Sequence, residues 1–355
     1  MQDSNFRSEI EQHLAVLRTL QTPTGLFTAA PSDVATGYNK AWLRDVFFIT
    51  LAFEVTGDME TVRKAAKALL GIICKHQDKI DWAVKHKPLE SWQFIHARYN
   101  PETFEEYWEE WGNKQNDAVG EVLYLLSVCE HSGHNVIETA DEKRMVQLLV
   151  DYLNNIEYWQ SADSGIWEEN QELHASSIGA CVAGLRRAST MPYVTMPAGV
   201  IEKGEAALRT LLPRESASKQ TDLALLSLIY PFAVTTDAER DLILERIITN
   251  NLRARGVIRY AGDAYYARKT EEKTLEAEWS FGLSWLAIIY AELGQATEAS
   301  VYLEKAKATV TADGLIPELY YGGTDTPNEN VPLGWAESMY VVACRKVQML
   351  LEKNQ

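Results

Sequence analysis

A chain of 355 residues with 46% hydrophobic and 24% charged side chains lies inside the globular range and can bury a large core, which excludes a disordered polymer. Its 50 acidic against 34 basic side chains leave a formal charge of -16, a field that repels nucleic-acid phosphates and anionic lipid headgroups but leaves neutral polyols such as sugars open as ligands. No stretch reaches the ~18 apolar residues of a membrane span, the start Met1-Gln2-Asp3-Ser4-Asn5 lacks a signal pattern, and the four cysteines show no Cys-x-x-Cys spacing, so a cytoplasmic chain with buried free thiols is expected.

Helical periodicity begins with Phe6, Ile10, Leu14 and Leu17, at steps of three and four. Gly57-Asp58, Gly133, the capping box Thr236-Asp237-Ala238-Glu239, Gly294 and Asp313-Gly314 punctuate the rest of the chain. About twelve helices are predicted, near 6–20, 42–56, 58–77, 115–132, 141–158, 174–187, 197–211, 220–230, 236–252, 275–293, 295–309 and 333–351. Short links follow even-numbered helices, whereas long ones follow odd-numbered helices at roughly 21–40, 78–114, 159–173, 253–274 and 310–332. Helix count and loop asymmetry predict an all-α (α/α)6 toroid over residues 1–355 as one domain, with even-numbered helices inside and every long loop on one rim. That rim should carry the site.

The longest loop holds Trp82, Trp92, Phe94, Tyr99, Phe104, Tyr107, Trp108 and Trp111, and aromatic faces stack on pyranose rings or fold back into a satellite core. Ala41-Trp42-Leu43-Arg44-Asp45 opens the second helix, where the helix dipole and the adjacent guanidinium are expected to keep Asp45 ionised, fit to accept hydrogen bonds from two sugar hydroxyls. Gln115-Asn116-Asp117 opens the fourth helix at the equivalent place, either as ordinary capping or as pocket lining.

Ile166-Trp167-Glu168-Glu169-Asn170 sits in the third long loop. A flanking indole supplies the desolvation that raises a carboxyl pKa, and a second negative charge at Glu169 would favour protonation of Glu168, the condition for a glycosidase acid. Arg259 and Tyr260, with Asp263, Tyr265 and Tyr266, offer hydroxyl-binding groups or a clamped turn, and Glu278 could reach the rim. The last long loop, Pro317-Glu318-Leu319-Tyr320-Tyr321 through Asp325-Thr326-Pro327-Asn328-Glu329 to Trp335, holds several acids, none singled out by spacing as a second carboxylate. Cys129, His131 and His134 match no standard zinc spacing, so neither metal nor cofactor is expected.

Taken in order, Trp42-Leu43-Arg44-Asp45, Gln115-Asn116-Asp117, Trp167-Glu168-Glu169 and Pro332-Leu333-Gly334-Trp335-Ala336 resemble glycoside hydrolase family 15, the glucoamylase family. His96-Ala97-Arg98-Tyr99, Glu172 to Ser177 and Trp335-Ala336-Glu337-Ser338 look most like the branch with the glucoamylase-like domains of phosphorylase kinase regulatory subunits. The resemblance implies an (α/α)6 toroid that releases glucose from the ends of α-glucans or maltooligosaccharides with inversion. It implies that Arg44 and Asp45 hold the terminal sugar, Glu168 is the general acid and Glu169 binds substrate. Trp42, Trp111, Gln115, Asn116, Asp117, Trp167, Arg259, Tyr260 and Trp335 complete the expected sugar-binding set. Counting back from Trp335 to the family's base lands on Thr326, with Asp325 beside it and Glu329 slightly later, so these two acids are the expected bases. The alternatives are a catalytically silent glucan-binding toroid and an α,α-trehalase on the same scaffold.

Overall fold

Two kinds of helix alternate along the chain, and the difference decides where each one sits. In the computed structural model, which describes residues 2–34, 36–107, 109 and 111–354, α2 (Leu43–Thr56) buries every residue from Leu43 to Phe53 and α10 (Phe281–Glu292) every residue from Phe281 to Ile289. By contrast, α8 (Val200–Leu211) buries only Val200, Gly204 and Leu208, one stripe at steps of four. A helix buried all round must be enclosed by others, while a striped one lies outside with its polar face in water.

The inner set is α2, α5 (Asn116–His131), α7 (Ala175–Ala188), a 3-10 helix at Leu223–Leu228, α10 and α12 (Gly334–Lys353). Each touches the next in that order, and α12 touches α2, so the six close into a ring. Outside it lie α1 (Gln2–Leu20) on α12, α3 (Met59–Lys75) on α2, α6 (Ala140–Asn155) on α5, α8 on α7, α9 (Asp237–Arg246) on the 3-10 helix, and α11 (Ala296–Lys307) on α10. This is the (α/α)6 toroid, with the even-numbered predicted helices inside. The tightest seam joins α5 to α7, where a Cβ added to Gly184 would lie 2.1 Å from the Gly120 carbonyl oxygen. Inside the ring Phe47 and Phe48 of α2 and Trp285 of α10 pack edge to face, all fully buried.

Three local departures from the sequence reading have plain causes. The long loop begins with a further helix, α4 (Gln77–Lys85), set off from α3 by His76, and its Ile80 and Ala83 make a one-sided stripe against the core. The segment expected as a helix at 220–230 is only a 3-10 turn, because Asp222 caps it by accepting from the Ala224 N–H and Pro231 ends it. The tenth helix begins at Phe281 rather than 275, since Glu278–Trp279 pairs antiparallel with Leu319–Tyr320. All four cysteines are free, with Cys74 only partly buried. No helix among the described residues is long and apolar enough to cross a membrane.

Candidate active site

Short antiparallel pairs fasten the rim loops to the first turns of the inner helices. Ala41–Trp42 pairs with Arg98–Tyr99, and the Leu43 N–H donates to the Ala97 carbonyl, so the aromatic loop is tied to the start of α2. The Gly334 N–H at the start of α12 donates to Ala29. These ties enclose a cavity of about 290 Å³ at the rim end of the ring, lined by Tyr38, Trp42, Arg44, Asp45, Trp111, Trp167, Glu168, Glu169, Arg259, Tyr265, Trp279, Glu318 and Trp335 among others.

The guanidinium of Arg44 organises one wall. Its Nη1 donates to Gln115 Oε1 (2.7 Å) and Asp117 Oδ2 (3.0 Å), and its Nη2 to Glu168 Oε1 (2.8 Å). Gln115 and Asp117 therefore belong to the site as the partners that aim Arg44, although neither lines the cavity. Asn116 turns away: its N–H donates to Asp163 and its side chain to the Ser161 carbonyl, which is capping at the head of α5.

Three consecutive side chains leave the 164–169 loop in three directions. Glu168 has φ 63°, a left-handed conformation that costs a non-glycine residue energy and holds its carboxyl toward the cavity. Trp167 donates its indole N–H to Asp222 (2.8 Å) and stacks on Trp335. Glu169 accepts from Lys219 Nζ (2.7 Å), Arg259 Nη2 (2.9 Å) and the Tyr260 hydroxyl (2.7 Å), and these cationic and hydroxyl partners hold it below the ordinary carboxylate range against the effect of its burial.

Burial pushes Glu168 up to about 7, opposed by Arg44 and reinforced by Asp45. The expected repulsion from Glu169 is not the cause, because Glu169 faces its own cations. Asp45 also departs from expectation. Burial raises it to about 6 and outweighs both Arg44 and its own backbone N–H, so it is charged only above that pH.

The cavity is also lined by a carboxylate that the sequence reading did not single out. Glu318, 2% exposed, accepts at Oε2 from Asn328 (2.6 Å) and Asn330 (2.7 Å) and at Oε1 from the Tyr38 hydroxyl (3.1 Å), which itself pairs with Tyr265. Burial raises its pKa, and the two amides and the phenol work against that rise. The segment is pinned from behind: Glu337 Oε1 accepts from the Ile316 N–H (2.7 Å), and its Oε2 meets His13 Nδ1 at 2.5 Å, both side chains being buried.

Over residues 11–354 the chain matches the glycosyl hydrolases family 15. It belongs to that family. Among curated proteins it is similar to the phosphorylase b kinase regulatory subunit alpha, skeletal muscle isoform, of Oryctolagus cuniculus, 27% identical over 85% of this chain and 30% of that one. A probable regulatory subunit alpha of Caenorhabditis elegans is 28% identical over 80% of this chain. The chain thus spans less than a third of the length of these relatives. Among solved structures it superposes on a wild-type glycosidase at 20% identity and TM-score 0.81, covering 98% of each chain. A bacterial glucoamylase complexed with acarbose, 16% identical with TM-score 0.75, covers 97% of this chain and 56% of its own.

In this family-15 chain neither acid expected as the base, Asp325 or Glu329, lines the cavity. Asp325 has a side chain 79% exposed, pairs with Arg255 (2.6 Å) and does not line the cavity. Glu329 is likewise exposed and outside the lining, its carboxylate accepting from Tyr266. Asp325 lies on the outer turn of the hairpin that follows Glu318, and Glu329 lies on its returning strand between Asn328 and Asn330. A signal for Glu318 was present: Asn328 and Asn330, two apart, place two amides on one side of the returning strand. Of the other expected residues, Trp42, Trp111, Trp167, Arg259 and Trp335 line the cavity, whereas Tyr260 reaches it only through Glu169. Arg259 is also clamped by Asp263 at 2.7 Å. The Glu278 carboxylate is occupied by the Arg255 and Gly323 N–H groups. Trp108 lies outside the described residues.

Proposed function

We propose that the chain is an inverting exo-acting glycosidase that releases glucose from the non-reducing ends of α-glucans or maltooligosaccharides, with Glu168 as general acid and Glu318 as general base. The reading is carried by one observation: two carboxyl groups from different loops, Glu318 buried and Glu168 partly buried, line the same cavity, and their surroundings differ. Glu168, raised to about 7 by burial, holds a proton near neutral pH. Burial raises Glu318 as well, but it sits among three hydrogen-bond donors, which favour its charged form against that rise. In the reaction the Glu168 proton passes to the glycosidic oxygen as its bond to the anomeric carbon breaks. Glu318 takes a proton from water as the water oxygen bonds that carbon from the opposite face, which inverts it.

The packed centre of the ring argues for chain ends rather than chain interiors. Phe47, Phe48 and Trp285 pack the ring interior between α2 and α10, which favours a glucan entering end first, with Arg44 and Asp45 at the head of α2 meeting the terminal hydroxyls. Trp42, Trp279 and Trp335 line the cavity, and their buried indole N–H groups find no acceptor within the protein. No cofactor enters this chemistry.

A second reading, a regulatory domain that binds glucan without turnover, is favoured by the curated relatives, which are named as regulatory subunits. Incubation of purified protein with maltotetraose and measurement of glucose separates the two. Release supports the enzyme, binding without release supports the regulatory domain, and release from trehalose alone would point to a trehalase.

A further inference from the structure

Among the described residues, Leu89 and Trp92 are the most exposed large apolar side chains, at 83% and 68%, and both lie in the aromatic loop. A tryptophan in water is commonplace on a floppy loop, but this one is held in place. The turn Ser91–Gln93 is locked by a capping box: Gln93 Oε1 accepts from the Leu89 N–H (2.8 Å) and the Glu90 N–H (2.9 Å), and the Gln93 N–H donates back to Glu90. Phe94, buried directly after it, anchors the turn in the core under the ammonium of Lys114. Such fixing removes the ordering cost that a ligand would otherwise meet, and a rigid exposed indole is the side chain that gains most from being covered.

The turn is also fastened to the wall of the cavity. The buried amide of Asn113 donates to the Ser91 carbonyl (2.9 Å), and Asn113 stands two residues beyond Trp111, which lines the cavity. The next residue, Lys114, accepts at its carbonyl from the Ser164 N–H (2.8 Å), at the start of the loop that carries Glu168. Between them, a Cβ on Gly112 would lie 2.9 Å from the Glu168 carbonyl oxygen. Segment 111–114 thus links the turn that carries the exposed indole, through one hydrogen bond, to the loop that carries Glu168, through another. A flat apolar face tied to the segment that carries the cavity's Trp111 suits a neutral, ring-shaped polyol, and the net charge of -16 disfavours an anionic partner.

We propose that Trp92 is an outer sugar-binding site, on which an α-glucan whose end occupies the cavity stacks a residue beyond the mouth. The inference rests on the reading that the cavity takes a glucan end, and it adds a preference for longer chains. The test is calorimetry on the full chain in a Glu168→Gln background, which keeps substrates intact, with and without Trp92→Ala. Loss of about tenfold in maltoheptaose affinity, equivalent to about 1.4 kcal/mol, with glucose and maltose changed less than twofold, is expected. Equal effects at all lengths, or none, overturn the proposal. If neither protein binds glucose or maltose, it is the reading of the cavity that fails. Retardation on an amylopectin gel then decides on Trp92 alone: a wild type retarded more than Trp92→Ala upholds the outer site, and equal mobility overturns it. Sedimentation that shows a dimer of the wild type lost in both Trp92→Ala and Leu89→Ser assigns the patch to a second copy and overturns it too.

Discussion

Glu168→Gln keeps the size of the side chain and removes only its titration, so it separates the chemistry of the proposed acid from its packing. The proposed acid has an ordinary value of 4.5 and a folded value of about 7. Because the folded value is raised, this group contributes its full stability below about 4.5 and loses it as pH rises through about 7. Each unit is worth about 1.36 kcal/mol, so the loss approaches roughly 3 kcal/mol at most, and less in practice because the side chain is 22% exposed. Thermal unfolding of the two proteins should therefore diverge in favour of the Gln variant between pH 5 and pH 8. Over the same range, wild-type glucose release from maltotetraose should decline through about pH 7, and the variant should be slower by about 10²–10⁴-fold. A melting difference that does not change with pH, or a variant retaining more than a tenth of the rate, would refute the assignment of Glu168.

Gly184→Ala should lower stability by roughly 3 kcal/mol or more in denaturant titrations, because the new methyl meets a backbone oxygen and not a movable side chain. Asp45, raised to about 6, accepts sugar hydroxyls best when charged. Wild-type affinity for glucose should thus weaken as pH falls through about 6, and Asp45→Asn should bind weakly at every pH. Glu337→Ala removes the acceptor that holds the Ile316 N–H behind Glu318. It should cut kcat on maltotetraose by about tenfold or more while changing KM less than twofold, with Glu337→Gln recovering most of the rate; a loss confined to KM would count against that role.

Much of the fold could be read from the chain because burial pattern and ring position are the same physical fact. Leu43 to Phe53 is apolar on nearly every side and can only be enclosed, while the stripe of α8 can only lie outside. The loop asymmetry then put Arg44, Asp117 and Glu168 on one rim, and the structure joins them through a single guanidinium. What escaped the reading was set by non-local partners. Glu169 is next to Glu168 in sequence yet faces Lys219, Arg259 and Tyr260, so adjacency misjudged which charges act on Glu168. Glu318 is placed by the pairing of Leu319–Tyr320 with Glu278–Trp279 and by two asparagines across a hairpin, of which only the two-residue spacing of Asn328 and Asn330 is visible in the sequence. The helix dipole and the adjacent Arg44 both favour a charged Asp45, but that cation is shared among Gln115, Asp117 and Glu168, and burial prevails.

The pairing of Glu168 with Glu318 is tested most directly by proton NMR of the anomer released from maltotetraose by wild type, Glu318→Gln and Asp325→Asn. The wild type and Asp325→Asn should both release β-glucose at similar rates, and Glu318→Gln should release almost none. An active Glu318→Gln beside an inactive Asp325→Asn, or α-glucose as the first product, would contradict the account.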